Sequence, residues 1–321
     1  MSTYVKRLDQ VGMSDKEWAG HKAACLGELI QAGFDVPPGL VVGPEAYRAT
    51  LAENQIDARI TRRLSETEID DPVELEAAAE EIRNLIERAP LRQDLAEEIT
   101  TAVRDLGNLD SPPRSGYAVR VSRLVEDVVN PRASGLAQAY LGVMGEQAIL
   151  DHIRQGWATL WTSRAIYYRH RKKMDQKQIA LAVVLQPMVE ADAAGVMFTG
   201  NPITLATDEI LIDATWGLGE AIIAARWKPD HYVVNKSNLE IREREIGDKN
   251  VMEIVAPEGG LETVIVPLAQ QTSACIDDSQ IAVLAEIGKR VEAHFNQAQD
   301  IEWCRIEDRI FLLQTRPLAR I

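Results

Sequence analysis

The spacing of apolar residues changes along the chain and predicts helices first and strands later. In the first hundred residues, apolar positions recur every three or four residues, as on one face of a helix. From Tyr117 the period becomes two, with Tyr117, Val119 and Val121 on one side of a half-buried strand. This order of elements predicts an α+β fold. The early predicted helices cover residues 22–30, 44–54 and two segments of 71–106 separated near Pro90.

A nearly continuous apolar run at residues 179–186 predicts a strand that is covered on both faces, and Pro187 interrupts it. We place the boundary between two lobes here, residues 1–185 and 186–321, with a hinge at 186–190. Later apolar segments predict further strands and a helix. In chain order, the remaining predictions are a long helix at 145–173, strands at 195–199, 209–214 and 231–235, and a helix at 277–295.

Residues 299–318 have the pattern of a β-hairpin whose turn is centred on Asp308. Side chains alternate between the two faces of a strand, so the register decides which residues share a face. One face is then apolar, with Ile301, Trp303, Phe311 and Leu313. The predicted register pairs Glu302 with Gln314, Trp303 with Leu313 and Arg305 with Phe311.

The opposite face of this hairpin is polar and carries candidate metal ligands. Cross-strand neighbours have Cβ atoms roughly 5 Å apart, so Glu302 and Gln314 could bind one cation together. A carboxylate and an amide oxygen suit Mg²⁺, which keeps waters and phosphate oxygens in its shell. Arg316 lies further along the same face and could hold a phosphate. The alternative is a solvated sheet face on which Glu302 and Arg316 form an ion pair.

Composition limits the function classes. The chain has 321 residues, 46% of them hydrophobic, and a formal net charge of −14, which disfavours non-specific binding to nucleic acid. There is no apolar run of about 18 residues and no signal-like apolar segment near the start. Three scattered cysteines, Cys25, Cys275 and Cys304, favour a reducing cytoplasmic location without disulfides or a zinc site.

Eight motifs together resemble one family, the N-terminal nucleotide-binding domain of phosphoenolpyruvate synthase, pyruvate phosphate dikinase and rifampicin phosphotransferase. Each motif is weak alone, but their order and spacing match from Lys22 to Pro317. The motifs are GHKAACLGEL with AGFDVPPGLVV (20–42), YAVR (117–120), ED (126–127), GVMFTGNP (195–202), WGLGEA (216–221), PDHYVV (229–234), QDIEW (299–303) and LLQTRP (312–317).

The resemblance implies an ATP-grasp fold with ATP and Mg²⁺ in a cleft between two lobes. It also implies transfer of the ATP β-phosphoryl group to a histidine on a separate domain, through a pyrophosphoryl intermediate, leaving AMP and phosphate. By position, the resemblance makes Lys22, Arg120 and Arg316 phosphate contacts with catalytic roles. It makes Glu302 and Gln314 the metal ligands. The implied hinge strand, which meets adenine and ribose, contains Gln186, Met188, Val189 and Glu190.

The segment after Arg120 departs from the family pattern. The family usually continues Arg-Ser-Ser-Ala-Thr, whereas this chain has Val121 and Leu124 in place of a serine and the threonine. A glycine in the following loop would still let backbone N–H groups approach a phosphate. The residues to which we assign phosphate-loop roles are Ser122, Arg132, Ser134 and Gly135.

None of the five histidines lies in the family's Thr-rich, Gly-Gly phosphohistidine motif. We therefore expect a phosphohistidine-domain protein, or C-terminal domains missing from this chain, as the partner. Phenylphosphate synthase resembles a split enzyme of this kind, and its smaller, nucleotide-binding subunit resembles this chain in extent. Two alternatives remain open: a non-catalytic nucleotide-binding regulatory subunit with a degenerate phosphate loop, and a self-sufficient ATP-grasp kinase or ligase.

Overall fold

The computed structural model describes residues 4–106, 115–124, 139–176, 179–223 and 228–318. The chain divides into two compact units. The first contains Met1–Ala24 and Pro38–Met188, and the second contains Cys25–Pro37 and Val189–Ile321. The change of unit after Met188 lies within the segment predicted as a hinge. Residues 25–37 belong to the second unit, which the division at residue 185 does not anticipate.

The first unit combines helices with a five-stranded antiparallel sheet in the order β1-β2-β5-β3-β4. Helix α1 begins in this unit, and its last turns belong to the second. The strands are β1 Val5–Arg7, β2 Leu40–Val42, β3 Tyr117–Arg123, β4 Ala139–Val143 and β5 Leu181–Pro187. The helices are α1 Lys16–Gln31, α2 Pro44–Glu53, α3 Ile56–Ser65, α4 Pro72–Glu87, α5 Gln93–Leu106, α6 Glu146–Ala158 and α7 Ser163–Arg171.

The core of the first unit forms between one face of this sheet and the apolar faces of its helices. Tyr117, Val119 and Val121 of β3 all lie in this core, as the alternation predicts. The start of α4 also follows the sequence, because the Asp71 carboxylate accepts hydrogen bonds from the Val73 and Glu74 N–H groups. In this part of the chain, the buried residues and the helix start are therefore those that the local sequence pattern predicts.

The long helix predicted over 145–173 is wrong, because the structure breaks it into α6 and α7. A 3₁₀ turn, Thr159–Trp161, follows α6. Thr162 then has an extended backbone, and its hydroxyl accepts a hydrogen bond from the Ala165 N–H at 3.1 Å. A threonine side chain that caps a new helix competes with continuation of the preceding one.

The second unit contains a six-stranded antiparallel sheet in the order β13-β12-β6-β7-β8-β9 and a separate antiparallel pair, β10-β11. With the first unit's sheet, this confirms an α+β fold with three antiparallel sheets. Its strands are β6 Ala193–Phe198, β7 Glu209–Trp216, β8 Asp230–Asn235, β9 Ile241–Glu245, β10 Val251–Val255, β11 Leu261–Ile265, β12 Gln299–Ile306 and β13 Arg309–Pro317. Its helices are α8 Glu220–Ile223 and α9 Asp278–Phe295.

One face of the six-stranded sheet packs against α9 and part of α1. The buried residues include Leu29 of α1, Trp303 of β12 and Leu284 of α9. Asp277 begins α9 with a capping box, in which its carboxylate accepts from the Gln280 N–H and the Gln280 side chain accepts from the Asp277 N–H. The opposite face of the sheet carries polar residues among apolar ones such as Leu211 and Val233.

A buried ion pair joins the start of β8 to the loop between β9 and β10. Lys249 and Asp230 are both fully buried, and the Lys249 ammonium donates to the Asp230 carboxylate. The carboxylate also accepts from the Gly247 N–H at 3.0 Å and the Cys275 N–H at 2.8 Å, and Lys249 donates to the Gly247 carbonyl at 2.9 Å. Burial and the nearby Asp230 charge raise the pKa of the Cys275 thiol.

The terminal hairpin has the predicted partners at its open end and a different register near its turn. Glu302 pairs with Gln314, but a β-bulge follows, and Trp303 then pairs with Leu312 instead of Leu313. The turn consists of two residues, between Ile306 and Arg309. The extra residue reverses which side chains face the core. Ile310 and Leu312 are buried in the core, and Phe311 and Leu313, predicted there, are half-buried.

No helix of the described residues is long and apolar enough to cross a lipid bilayer.

Candidate functional site

The polar face of the six-stranded sheet brings the two predicted metal ligands together. Glu302 on β12 and Gln314 on β13 are direct cross-strand partners, and both are half-buried. The same row continues across the sheet through Val196 to Asp213. Direct antiparallel partners share a face, so the row lies opposite the apolar core. Two oxygen-bearing side chains at adjacent strand positions fit a hard cation that takes its other ligands from water and phosphate.

Glu302 and Gln314 could supply only part of a coordination sphere. Across the described ranges, no group of three or more His, Cys, Asp and Glu side chains is arranged to hold a metal ion. This arrangement suits Mg²⁺ better than Zn²⁺, since Mg²⁺ is commonly bound by one or two protein oxygens plus substrate phosphates.

Arg316 lies two residues from Gln314 on the same strand and face, and its partner is Asp300. The cross-strand register pairs these two residues. The Asp300 Oδ2 atom accepts from Arg316 Nε at 2.8 Å and lies 2.6 Å from Arg316 Nη2. Arg316 therefore pairs with Asp300, whereas the alternative drawn from the sequence paired it with Glu302. Asp300 orients the guanidinium while half of the arginine side chain stays exposed.

Sequence reasoning missed two residues in this row, Asp213 and His231. His231 on β8 is the cross-strand partner of Asp213 on β7. Its Nδ1 atom lies 2.6 Å from Asp213 Oδ1, and this hydrogen bond raises the pKa of His231 while partial burial opposes the shift. The alternation of residues 209–214 contained a signal, because Asp213 interrupts an apolar run.

The first unit places Arg120 and Gln186 on one face of its own sheet. Arg120 pairs with Val184, and Gln186 pairs with Ala118 two residues away. This face is opposite the one that carries Tyr117 and Val119 into the core. Arg120 is half-buried and Gln186 is buried. The predicted phosphate contact and the first residue of the predicted adenine segment therefore share a sheet face.

Lys22 lies in the first turn after a sharp break in α1. Gly20 has φ +75°, so the regular helix that contains Lys22 begins after it. A Cβ atom at Gly20 would lie 2.5 Å from Ser122 Oγ and 2.6 Å from the Ser122 carbonyl oxygen. Only glycine fits this backbone conformation and this approach to β3. The N-terminal turn of a helix attracts anions, which is consistent with Lys22 as a phosphate contact.

Ser122 holds this turn against β3. Its hydroxyl donates to the Ala19 carbonyl at 2.7 Å and accepts from the Ala23 N–H at 3.1 Å, and the residue is completely buried. Both hydrogen-bonding functions of the hydroxyl are used inside the protein. The geometry therefore supports a positioning role for Ser122, between the strand of Arg120 and the helix of Lys22.

Replacing Ser122 by alanine is expected to lower the free energy of unfolding by about 1–3 kcal/mol, because the Ala23 N–H and the Ala19 carbonyl lose a buried partner. Chemical denaturation measures the change. Ser14→Ala, at an exposed position, is the matched control and should stay within about 0.5 kcal/mol of the wild type. Equal stability of the two variants would contradict the positioning role.

Met188, Val189 and Glu190 follow the end of β5 and lie outside its strand pairing. The Met188 N–H donates to the Gly116 carbonyl at 2.9 Å, and Val189 accepts a hydrogen bond from the Ala191 N–H, so this segment is ordered after β5. Glu190 is exposed. The other three predicted phosphate-loop residues, Arg132, Ser134 and Gly135, lie outside the described residues.

Residues 16–321 match the family of the pyruvate phosphate dikinase AMP/ATP-binding domain. The chain belongs to this family. The match includes Lys22, Arg120 and the whole hairpin with Glu302, Gln314 and Arg316, so both sets of polar residues lie within the AMP/ATP-binding domain.

Three similar proteins place the domain within longer chains. The phosphoenolpyruvate synthases of Pyrococcus furiosus and Aeropyrum pernix are 32% and 36% identical over 99% and 97% of this chain. The rifampicin phosphotransferase of Streptomyces sviceus is 35% identical over 99% of it. This dikinase-family domain spans 44%, 42% and 36% of those three proteins, less than half of each.

Proposed function

We propose that this AMP/ATP-binding domain binds Mg-ATP in an ATP-grasp cleft and transfers the β-phosphoryl group to a histidine of a partner domain or subunit. The observation that carries the proposal is the row of Glu302 and Gln314 beside the Asp300–Arg316 pair, in a chain of the dikinase AMP/ATP-binding family. The two lobes would be residues 1–185 and 186–321, except that residues 25–37 would belong with the second lobe. Gln186, Met188, Val189 and Glu190 would meet adenine and ribose.

The residues divide into metal holders and phosphate contacts. Glu302 and Gln314 would hold Mg²⁺, which neutralises phosphate charge when it is bound. Arg316, oriented by Asp300, would contact a phosphate from the second unit. Lys22 and Arg120 would do so from the first. Phosphoryl transfer requires mainly positioning and charge stabilisation, which these groups can provide without a covalent protein intermediate on this chain.

The reaction needs an acceptor. The partner's histidine nitrogen would attack the β-phosphorus of ATP, and the bond from that phosphorus to the oxygen bridging the α- and β-phosphates would break. AMP would leave, and the histidine would carry the pyrophosphoryl group. Transfer of the outer phosphoryl group to water would then give phosphate and a phosphohistidine. Both a phosphoenolpyruvate-synthase-like and a phenylphosphate-synthase-like final acceptor are compatible with this step.

The test uses full-length Pyrococcus furiosus phosphoenolpyruvate synthase in which the residues aligned with Lys22, Arg120 and Glu302 are replaced by alanine; we call this protein the acceptor enzyme. Incubation of the chain with the acceptor enzyme and ATP labelled at the β-phosphorus should produce AMP and label on the acceptor enzyme. The acceptor enzyme alone is the control. Formation of ADP as the only nucleotide product would contradict the proposal.

A second candidate is a non-catalytic nucleotide-binding subunit. It is favoured by the altered sequence after Arg120, where Val121 and Leu124 replace hydroxyl residues and the Ser122 hydroxyl is bonded internally. This alternative requires Mg-ATP binding without AMP formation in the same assay, so the labelled-ATP experiment separates the two candidates.

A further inference from the structure

The loop between β6 and β7, residues 199–208, is held in its conformation by hydrogen bonds of Asn201. Asn201 is buried, and its side-chain oxygen accepts from the N–H groups of Ile203 and Thr204, both at 3.0 Å. Its amide nitrogen donates to Glu209 at 2.9 Å. The Leu205 N–H also donates to the Asn201 carbonyl at 2.8 Å. One asparagine therefore determines the conformation of the loop tip.

This ordered loop presents two large apolar side chains to solvent. Ile203 is 86% exposed and Leu205 is 57% exposed. Leu205 also has φ +62°, a left-handed conformation that residues with a Cβ atom rarely adopt. A strained backbone held by several hydrogen bonds is typical of functional loops. The loop tip thus has the properties of a small, preformed contact surface.

The loop leaves the sheet at the end that carries Arg316. Phe198, the last residue of β6, is the cross-strand partner of Asp300, which in turn pairs with Arg316. Thr199 continues the contact, since its N–H donates to the Gln299 carbonyl at 2.9 Å and its hydroxyl accepts from the Gln299 N–H at 2.8 Å. The loop therefore starts one residue beyond the row of the proposed phosphate clamp.

We propose that Ile203 and Leu205 form the docking surface for the histidine-bearing partner domain. The inference rests on the proposed function, because the partner is the acceptor of the phosphoryl group. Two observations and one requirement of the proposed reaction favour this occupant. The chain covers less than half of its longer relatives, and the loop begins beside Asp300, the partner of Arg316. The acceptor histidine would have to reach the phosphates that Arg316 is proposed to contact.

The size of the surface fits a transient partner better than a second copy of this chain. Two side chains form a contact well below the standard size of a stable protein interface, roughly 1,600 Å² in total. A domain that carries a phosphoryl group onward must also dissociate after each transfer. A small apolar contact with fast dissociation meets that requirement.

The test compares Ile203→Ser and Leu205→Asn with the wild type. Asparagine tolerates the left-handed backbone at 205, so this change removes the apolar side chain without adding strain. Ile265→Ser on β11 is the matched control, because Ile265 is also a highly exposed isoleucine, at 79%. Biolayer interferometry measures binding to the acceptor enzyme, and calorimetry measures binding of Mg-ATP to each variant.

The expected result is at least tenfold weaker binding of the acceptor enzyme to the Ile203 and Leu205 variants, with unchanged Mg-ATP affinity and no effect of Ile265→Ser. Equal binding by all four proteins, or no binding by the wild type, would overturn the docking surface. A wild-type dimer that Ile203→Ser dissociates, seen by light scattering, would assign the surface to a second copy instead. Since these readouts need no turnover, failure of AMP formation would count against the proposed function separately.

Discussion

Replacing Lys249 by methionine is expected to lower the free energy of unfolding of the second unit by about 3–5 kcal/mol. Methionine keeps most of the aliphatic volume but removes the ammonium group. The Asp230 carboxylate then stays buried and loses the ammonium, while the Gly247 and Cys275 N–H groups still donate to it. An uncompensated buried charge costs far more than the original pair contributes, because the remaining carboxylate cannot regain its hydration.

Urea denaturation measures this loss, with Lys228→Met as the matched control. Lys228 pairs with Glu245 at the surface, where both side chains are about 60% exposed, so its loss should cost less than about 1 kcal/mol. The double variant Lys249→Met with Asp230→Asn should regain part of the stability, because the buried charge is removed. If Lys249→Met were no less stable than Lys228→Met, the buried pair would have no such role.

The second large effect concerns nucleotide binding. Glu302→Ala is expected to weaken Mg-ATP binding at least 10- to 100-fold, since changes even to residues that only support metal ligands have effects of this size. Binding of ATP without Mg²⁺ should change little. Titration calorimetry with and without Mg²⁺ separates the two contributions, and the charge-neutral Glu302→Gln variant tests whether the carboxylate itself is required.

Asp308→Ala is the control for this substitution. Asp308 is an exposed carboxylate in the turn of the same hairpin, so its removal changes the net charge by the same amount. Its Mg-ATP affinity should equal that of the wild type. Undiminished Mg²⁺-dependent binding by Glu302→Ala would exclude the hairpin as the metal site and leave the proposed function without its main support.

The sequence predicted the Glu302–Gln314 pair for a reason that only partly holds. A turn centred on Asp308 gives the correct partners at the open end of the hairpin, and it also implies the pairing of Asp300 with Arg316. Near the turn it fails, because Glu307 adopts φ +51° and a bulge restores the register further along. The alternation pattern contains no signal for a bulge, since an extra residue is a property of the paired strands.

The elements were predictable where local patterns dominate. The α4 and α5 helices and strand β3 follow their apolar spacing, and the cap at Asp71 was available from the sequence. The Lys249–Asp230 pair was not, because it depends on the loop after β9 meeting the start of β8 in the protein interior. The Ser122 hydroxyl was equally ambiguous, since a serine after Arg120 suits a phosphate contact and an internal hydrogen bond alike.

The segment 25–37 has a consequence for how the protein is made. Its Asp35 carbonyl accepts from the Leu312 N–H at 2.8 Å, and the Asp35 carboxylate pairs with Arg309, 274 residues later in the chain. At about 5–20 residues per second, a ribosome needs roughly 14–55 s to add those residues. During that time Leu29 and Phe34 lack strand β13, which contributes Ile310 and Leu312 to their core. The second unit therefore cannot complete its core until β12 and β13 have been synthesised.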